Sequence, residues 1–374
     1  MDHVASTIVE RVQSLSDIEL ASLLCLVADQ HCIIEAEEGL LDGVEREIQL
    51  VASDVFGLSC CVLNCSESTT LDDFDKGILM AEDDDGFDSS ERRRSKDDCF
   101  SSFSISDQRR QSDKRVSRSP GAFTSLDSRK IANIVIAKNL NETNQQVQIQ
   151  VLELIRGKRV FTRTAVHAAP KPFLFIALNA YESELKLTQH LNDQFFLSHR
   201  HFAEDGVPNL EELVAKANFS EDGTSASSVI RSPPMKLPAS KSLTPIFSQD
   251  DLDALVASTA EVRISPEIRA YMHNIIVFLR LHRAVAGGIS ATSTRHFSAL
   301  VRTLAPLHGY TYASPSLVTL AISKVFRHRI ELTTPENERS MQWGSSLDAV
   351  KAVLDGVTAE DVIEEVLEAV EAPL

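Results

Sequence analysis

Four groups of residues in this 374-residue chain have the types and spacing to do chemistry. The first is the run Cys32-Ile33-Ile34-Glu35-Ala36-Glu37-Glu38-Gly39-Leu40-Leu41-Asp42-Gly43, an apolar stretch opening into a loop with two glycines. A loop that cradles phosphate needs glycines whose N–H groups face the anion, a Lys on the β/γ oxygens and a Ser or Thr on magnesium. No G-x-x-x-x-G-K-[ST] occurs in the chain. Glu37, Glu38 and Asp42 instead suit a solvated helix start, where carboxylates face the positive end of the macrodipole. The second group, Cys60, Cys61 and Cys65, contains no Cys-x-x-Cys pair. Adjacent cysteines on a strand point to opposite faces, so these are expected in the core rather than on a metal. The third is His199-Arg200-His201, and with no second cluster converging in sequence no metal centre is expected. The fourth comprises Ser95, Ser112, Ser117 and Ser119, which follow or lie among arginines or precede a proline. They read as candidate phosphosites, where a phosphate adds nearly two negative charges.

The elements that must position these groups follow from patterning. Leu15–Val27 repeats apolar residues at helical spacing and Leu41 to about Phe56 is again helical, while Leu58–Leu63 reads as a strand. Ile131–Ala137, Thr143–Ile155 and Pro172–Ala180 read as strand, helix and strand. Strands apolar throughout and alternating with helices indicate a parallel sheet covered on both faces. Helices then follow from Ser265-Pro266, around Phe297–Leu304, from Ser314-Pro315 to Arg329, and over Ala359–Val370. Arg327-His328-Arg329 reads as a solvated, cationic helix end. Charged, serine-rich residues from about Asp75 to Ser128, and Ser- and Pro-rich ones from about Phe219 to Thr244, cannot bury enough apolar surface to fold.

Composition bounds the partners. With 37 basic and 54 acidic residues the net charge is −17, which repels nucleic acid and anionic membranes. No run approaches eighteen apolar residues, so no membrane span is expected. The start Met1-Asp2-His3-Val4 lacks a signal-peptide pattern, and six cysteines in so long a chain are not a disulfide framework. The expectation is an intracellular protein, cytoplasmic rather than nuclear.

The run Thr292–Leu332 (TSTRHFSALVRTLAPLHGYTYASPSLVTLAISKVFRHRIEL) carries small-Ser-x-Arg, an apolar helix, a Gly-aromatic turn, a Ser-Pro helix start and Arg-His-Arg. In that order these elements resemble the lid of the MoxR and magnesium-chelatase ATPase-subunit branch of AAA+ proteins. The resemblance implies an AAA+-like α/β core with a parallel sheet flanked by helices, then a small all-α lid, with long disordered insertions. It divides the chain into core (1–74 and 129–218), insertion (75–128), linker (219–246), lid (247–332) and acidic helical tail (333–374).

It also assigns positions. Glu35–Gly43 is similar to the family's phosphate loop, of which Glu35 and Gly39 fit, while Glu38 sits inside the cradle, Asp42 holds the lysine position and Gly43 the hydroxyl position. Ile134–Asn139 resembles the second nucleotide-binding strand, with Lys138 and Asn139 in place of the Asp-Glu that organises magnesium and water. Leu191-Asn192-Asp193-Gln194-Phe195 resembles the arginine-finger element, with Gln194 in the arginine's place. Asn179 and Arg295 match the sensor positions; Asn179 equally suits a strand end and Arg295 a surface ion pair worth under about 1 kcal/mol. Opposed unit charges 4 Å apart are worth roughly 4 kcal/mol at an effective dielectric near 20, so inverting the sign at Asp42 costs several tenfold steps of affinity.

The resemblance with these losses implies a non-catalytic partner or assembly scaffold within an AAA+-type oligomer or on another protein, with no cofactor and no nucleic acid. Two alternatives stay open. One is a diverged ATPase subunit using ATP and magnesium in magnesium-chelatase-type chemistry. The other is an adaptor controlled by phosphorylation of the 75–128 insertion.

Overall fold

The computed structural model describes residues 2–80, 129–162, 165–183, 185–221 and 245–373, so the candidate phosphosites Ser95, Ser112, Ser117 and Ser119 lie outside the described residues. Helices α1 (Asp2–Gln13) and α2 (Asp17–Ala28) precede strand β1 (Cys32–Ala36). Ser16 starts α2 through a capping box: its hydroxyl accepts from the Glu19 N–H, and the Glu19 carboxylate accepts from the Ser16 N–H. There follow α3 (Leu41–Leu50), β2 (Cys60–Asn64), α4 (Leu71–Gly77), β3 (Leu79–Met80), β4 (Lys130–Ile131), β5 (Ile134–Lys138) and α5 (Gln145–Gly157). Then come β6 (Arg159–Phe161), β7 (Val166–Ala168), β8 (Leu174–Ala180), α6 (Gln189–Asn192), β9 (Leu197–Arg200) and α7 (Pro208–Glu221). The last part is α8 (Gln249–Glu261), α9 (Pro266–Leu281), β10 (Val285–Gly287), α10 (Ala291–Leu307), α11 (Pro315–Phe326), β11 (Glu331–Leu332), α12 (Leu347–Leu354) and α13 (Ala359–Ala369).

Five strands form one parallel sheet in the order β2-β5-β8-β1-β9. Period-two alternation divides the central strands between two cores. Cys32, Ile34, Ile136, Ile176 and Leu178 face the core built with α2, α3 and the helices after α7. Ile33, Val135, Ala137, Phe175 and Ala177 face the core built with α4 and α5. Burial on both faces is why these strands are apolar throughout. Cys60 and Cys61 pack against opposite cores, and burial pushes both thiols, and that of Cys65, up to about 12.

Several local readings are corrected. The expected strand Ile131–Ala137 is two elements: β4 pairs antiparallel with β3, and β5 joins the large sheet. Asn133 marks the break, its amide donating to the Pro172 carbonyl at 2.8 Å and its side-chain oxygen accepting from the Ser59 hydroxyl at 2.8 Å. Ordered structure continues past Asp75 to Met80, and α7 runs to Glu221. The helix from Leu41 is α-helical to Leu50 and then widens into a π-turn over Val51–Val55.

The end of α11 is the largest departure. Instead of a solvated terminus, Arg329 is only 2% exposed. Its guanidinium donates to the carbonyls of Val325 and Phe195 and, at 3.3 Å, to that of Asp193. It also meets His296 Nδ1 at 2.7 Å and pairs with the Asp193 carboxylate at 3.5 Å. Asn192 donates to the His328 carbonyl at 2.6 Å beside it. The 192–195 segment of the core is thus fastened to the helical module by polar contacts that exclude water. Gly288, at φ +95°, brings β10 so close that an added Cβ would lie 1.7 Å from the Arg329 carbonyl oxygen.

A second buried charge fastens α7. Glu47 is fully buried, and its carboxylate accepts from the N–H groups of Asn209 and Leu210 at 3.2 and 2.9 Å and from the Asn209 amide at 2.8 Å. It caps the helix from another element, satisfying donors that the first turn leaves open. Glu47→Gln turns a donor toward those N–H groups and is expected to cost about 1–3 kcal/mol, read as a lower thermal midpoint. An unchanged midpoint would remove this cap from the account of stability.

Candidate functional site

In open parallel sheets, ligands bind beyond the carboxyl ends of the strands where the winding direction reverses. Here that point lies at β1, between β8 and the edge strand β9. Three sequence-assigned stretches converge on this edge, Glu35–Gly43 after β1, Lys138 and Asn139 at the end of β5 and Asn179 on β8, and Arg200 on β9 joins them. Register confirms the convergence, since Glu35 sits opposite Asn179 on one side and Arg200 on the other.

The loop after β1 is a helical turn and not an anion cradle. Glu38–Leu40 forms a single 3-10 turn, with the Leu40 N–H donating to the Glu37 carbonyl at 2.9 Å, and α3 begins at Leu41. Gly39 and Gly43 lack positive φ, and a Cβ at either would meet nothing within 4 Å. Neither position needs glycine, so the backbone is not bent to present N–H groups inward.

The charges face one another across this edge. The Lys138 ammonium donates to Asp42 and, at 3.1 Å, to Glu45. Burial lowers the lysine's pKa, but the two carboxylates outweigh it and raise the net value. The hydrogen bond from Lys138 holds the Asp42 carboxyl below its usual range. Lys138 and Asp42 thus carry opposite charges at this edge and neutralise each other. Asn139 takes a left-handed turn at φ +56°, its N–H donating to the Leu178 carbonyl at 2.8 Å.

A second network closes the β1–β9 side. Glu35 pairs with Arg200 at 3.6 Å and with Arg327, at the end of α11, at 3.8 Å. Both arginines also reach Glu360 on α13, at 3.7 and 3.8 Å, and Arg200 lies over the Tyr181 ring at 5.2 Å. Each of the three cations at this edge is engaged by a carboxylate. The Asn179 oxygen is buried without a hydrogen-bond partner among the described residues.

The structure does not bring the two sensor positions together. Arg295 is exposed, bonds only to Thr292 at 3.3 Å among the contacts described, and lines a polar cleft of about 540 Å³ with Asp29, Gln30, His31, Lys158 and Gln194. Asp29–His31 precede β1, so this cleft is at the amino edge of the sheet. A five-residue strand separates it from Asp42 by about 16 Å. Arg295 is exposed at the amino edge, and among the described residues Arg327 of the helical module reaches the carboxyl edge. Sequence reasoning passed over Arg327 because its burial depends on α13 and β9. Its one sequence signal was its place in Arg-His-Arg at a helix end.

Elsewhere, the structure assembles a group the sequence left apart. His199, His201 and Asp205 place ring nitrogens and a carboxylate within 4.8 Å of one another.

No family model matches the chain. Maintenance of telomere capping protein 2 of Lachancea thermotolerans is 33% identical over 116 residues, 30% of this chain and 41% of that protein. The match thus spans about two-fifths of the fungal relative's length. Uncharacterized protein YeaC of Bacillus subtilis is 23% identical over 247 residues, 65% of this chain and 67% of that protein. A protein from Cytophaga hutchinsonii, provisionally described as an ATPase, superposes with a TM-score of 0.63 at 13% identity, covering 100% of this chain and 98% of its own. Sheet, flanking helices and neighbour together show an AAA+-like α/β fold.

Proposed function

We propose that the chain is a pseudo-ATPase of the MoxR and magnesium-chelatase type, working as an assembly partner or scaffold. The observation that supports this most is the Lys138–Asp42–Glu45 cluster at the carboxyl edge of the sheet. A triphosphate with magnesium placed there would meet Asp42 where a cation is required and Lys138 where the metal's aspartate is required. To bind, it would also have to break an ion pair that is 14% exposed on the lysine side. The helical turn at Glu38–Leu40 offers no ring of N–H donors to offset that cost. Gln194, at the arginine-finger position, lines the opposite edge and cannot supply a guanidinium to a neighbour.

With hydrolysis absent, the work left to this fold is contact. The fungal relative's name ties that protein to telomere capping. A chain of net charge −17 would join such a process through protein partners rather than by gripping nucleic acid. Among the described residues no helix is long and apolar enough to cross a membrane.

Calorimetric titration of ATP with magnesium into the purified chain, alongside its mass in solution, tests the reading. No heat of binding is expected at ligand concentrations up to about 1 mM, where the binding free energy is near −4 kcal/mol. A mass above the monomer, or co-purification with a defined partner, supports the scaffold role. Micromolar binding would overturn the pseudo-ATPase and favour a diverged enzyme.

A further inference from the structure

We propose that His199, His201 and Asp205 form a binding site for a divalent transition metal of the zinc class. His199 is on β9 and His201 directly follows it, so their side chains leave the same face of the strand. The chain then turns, and Asp205 closes the turn with its carboxylate accepting from the Phe202 N–H at 2.8 Å. This bond aims the carboxylate back at the histidines. The ligand atoms of all three residues lie within 4.8 Å of one another, and His201 Nδ1 is 3.9 Å from Asp205 Oδ2.

Burial supplies an independent reason. His199 and His201 are 2% and 3% exposed, yet His199 Nε2 and His201 Nδ1 have no hydrogen-bond partner among the described residues. Buried polar atoms are nearly always paired, and one left alone costs on the order of 1–3 kcal/mol. A single ion between these nitrogens would satisfy both. For Nε2 to hold an ion the ring proton must sit on Nδ1, so Lys324 on α11, 3.2 Å from Nδ1, has to accept it as a neutral amine, and binding releases a proton.

Ligand chemistry selects the ion. Two imidazoles and one carboxylate suit zinc, cobalt or nickel rather than magnesium or calcium, which take oxygen. Bonds of 2.0–2.1 Å in a tetrahedron place donor atoms about 3.3 Å apart, so ligand atoms now within 4.8 Å of one another have to draw in on the ion. Arg327, at the end of α11, is paired with Glu35 and Glu360, which offsets its repulsion of a dication. Three protein ligands leave the fourth position to water or to a partner's side chain. The site lies where β9 packs on α11, so a bound ion stiffens the seam between the core and the helical module.

The test uses the full chain and cobalt(II), whose visible absorption reports coordination number and thiolate ligation. One equivalent is expected to bind with a tetrahedral spectrum free of thiolate charge transfer, and zinc should displace it. Asp205→Asn keeps the turn's acceptor but loses the carboxylate, and should weaken binding by more than about 100-fold, beyond the 10–100-fold typical of an outer partner. His199→Asn should do the same where it folds, judged by circular dichroism. Absence of binding by the folded chain, a thiolate spectrum, or undiminished affinity in Asp205→Asn would each overturn the site.

Discussion

Acidification to pH 5 is expected to unfold this protein, well before its carboxylates finish titrating. Four histidines among the described residues are held neutral in the fold, one of them His199, which burial and then Lys324 lower to about 3. Burial lowers the pKa of His31, and Lys158 adds to it, with the Lys158 ammonium 3.3 Å from Nε2. Burial, then Arg329, lowers His296 to about 3. The same two causes lower His328, whose Nδ1 is enclosed without a partner among the described residues. Because the unfolded chain takes these protons near pH 6.5 and the folded chain does not, stability falls as pH drops below 6.5. At pH 5 His199 and His296 have each lost about 2 kcal/mol, and His31 and His328 lose stability in the same direction, against a typical total of 5–15 kcal/mol. Far-UV circular dichroism is the suitable measurement, since Trp343 is 88% exposed and its emission changes little on unfolding. His31→Gln keeps an acceptor for the Phe175 N–H and should reduce the acid dependence. A fold that persists unchanged to pH 4 would contradict the prediction.

Arg329→Met is expected to cost roughly 3–5 kcal/mol, the range for removing one partner of a buried charge network. Methionine fills the volume but leaves the carbonyls of Val325 and Asp193 without this donor, the Phe195 carbonyl with only His328 Nε2 at 3.3 Å, and the Asp193 carboxylate without its cation. The Asp193 charge keeps one contact, from the Ser290 hydroxyl at 2.7 Å. Arg329→Lys should rescue little, because one ammonium cannot reproduce the guanidinium's planar fork across three carbonyls. Denaturant unfolding measures both variants. A loss below about 1 kcal/mol for Arg329→Met would mean that apolar packing alone joins the 192–195 segment to the helical module.

Much of the fold was legible because its signals are local. The apolar runs at Cys32–Ile34 and Phe173–Leu178 follow from burial on both faces, and the serine–proline starts of α9 and α11 set helix boundaries within a residue. β9 and α7 were missed, since a four-residue edge strand and a mixed-polarity helix carry weak periodicity. The carboxylate-rich loop and the absence of a G-x-x-x-x-G-K-[ST] run could be read directly, because those depend on residue type alone.

Pairing was decided by tertiary structure. Asp42 and Lys138 stand 96 positions apart, and only the β1–β8–β5 order places their charges in contact. Arg327 and Arg329 look like a solvated basic end, and become buried because β9, α13 and the 192–195 segment close over them. Sequence alone fixed which groups this chain carries and which it lacks. Burial and neighbourhood, which arise only when distant segments share one core, decided that its cations serve internal carboxylates and that two histidines and an aspartate meet.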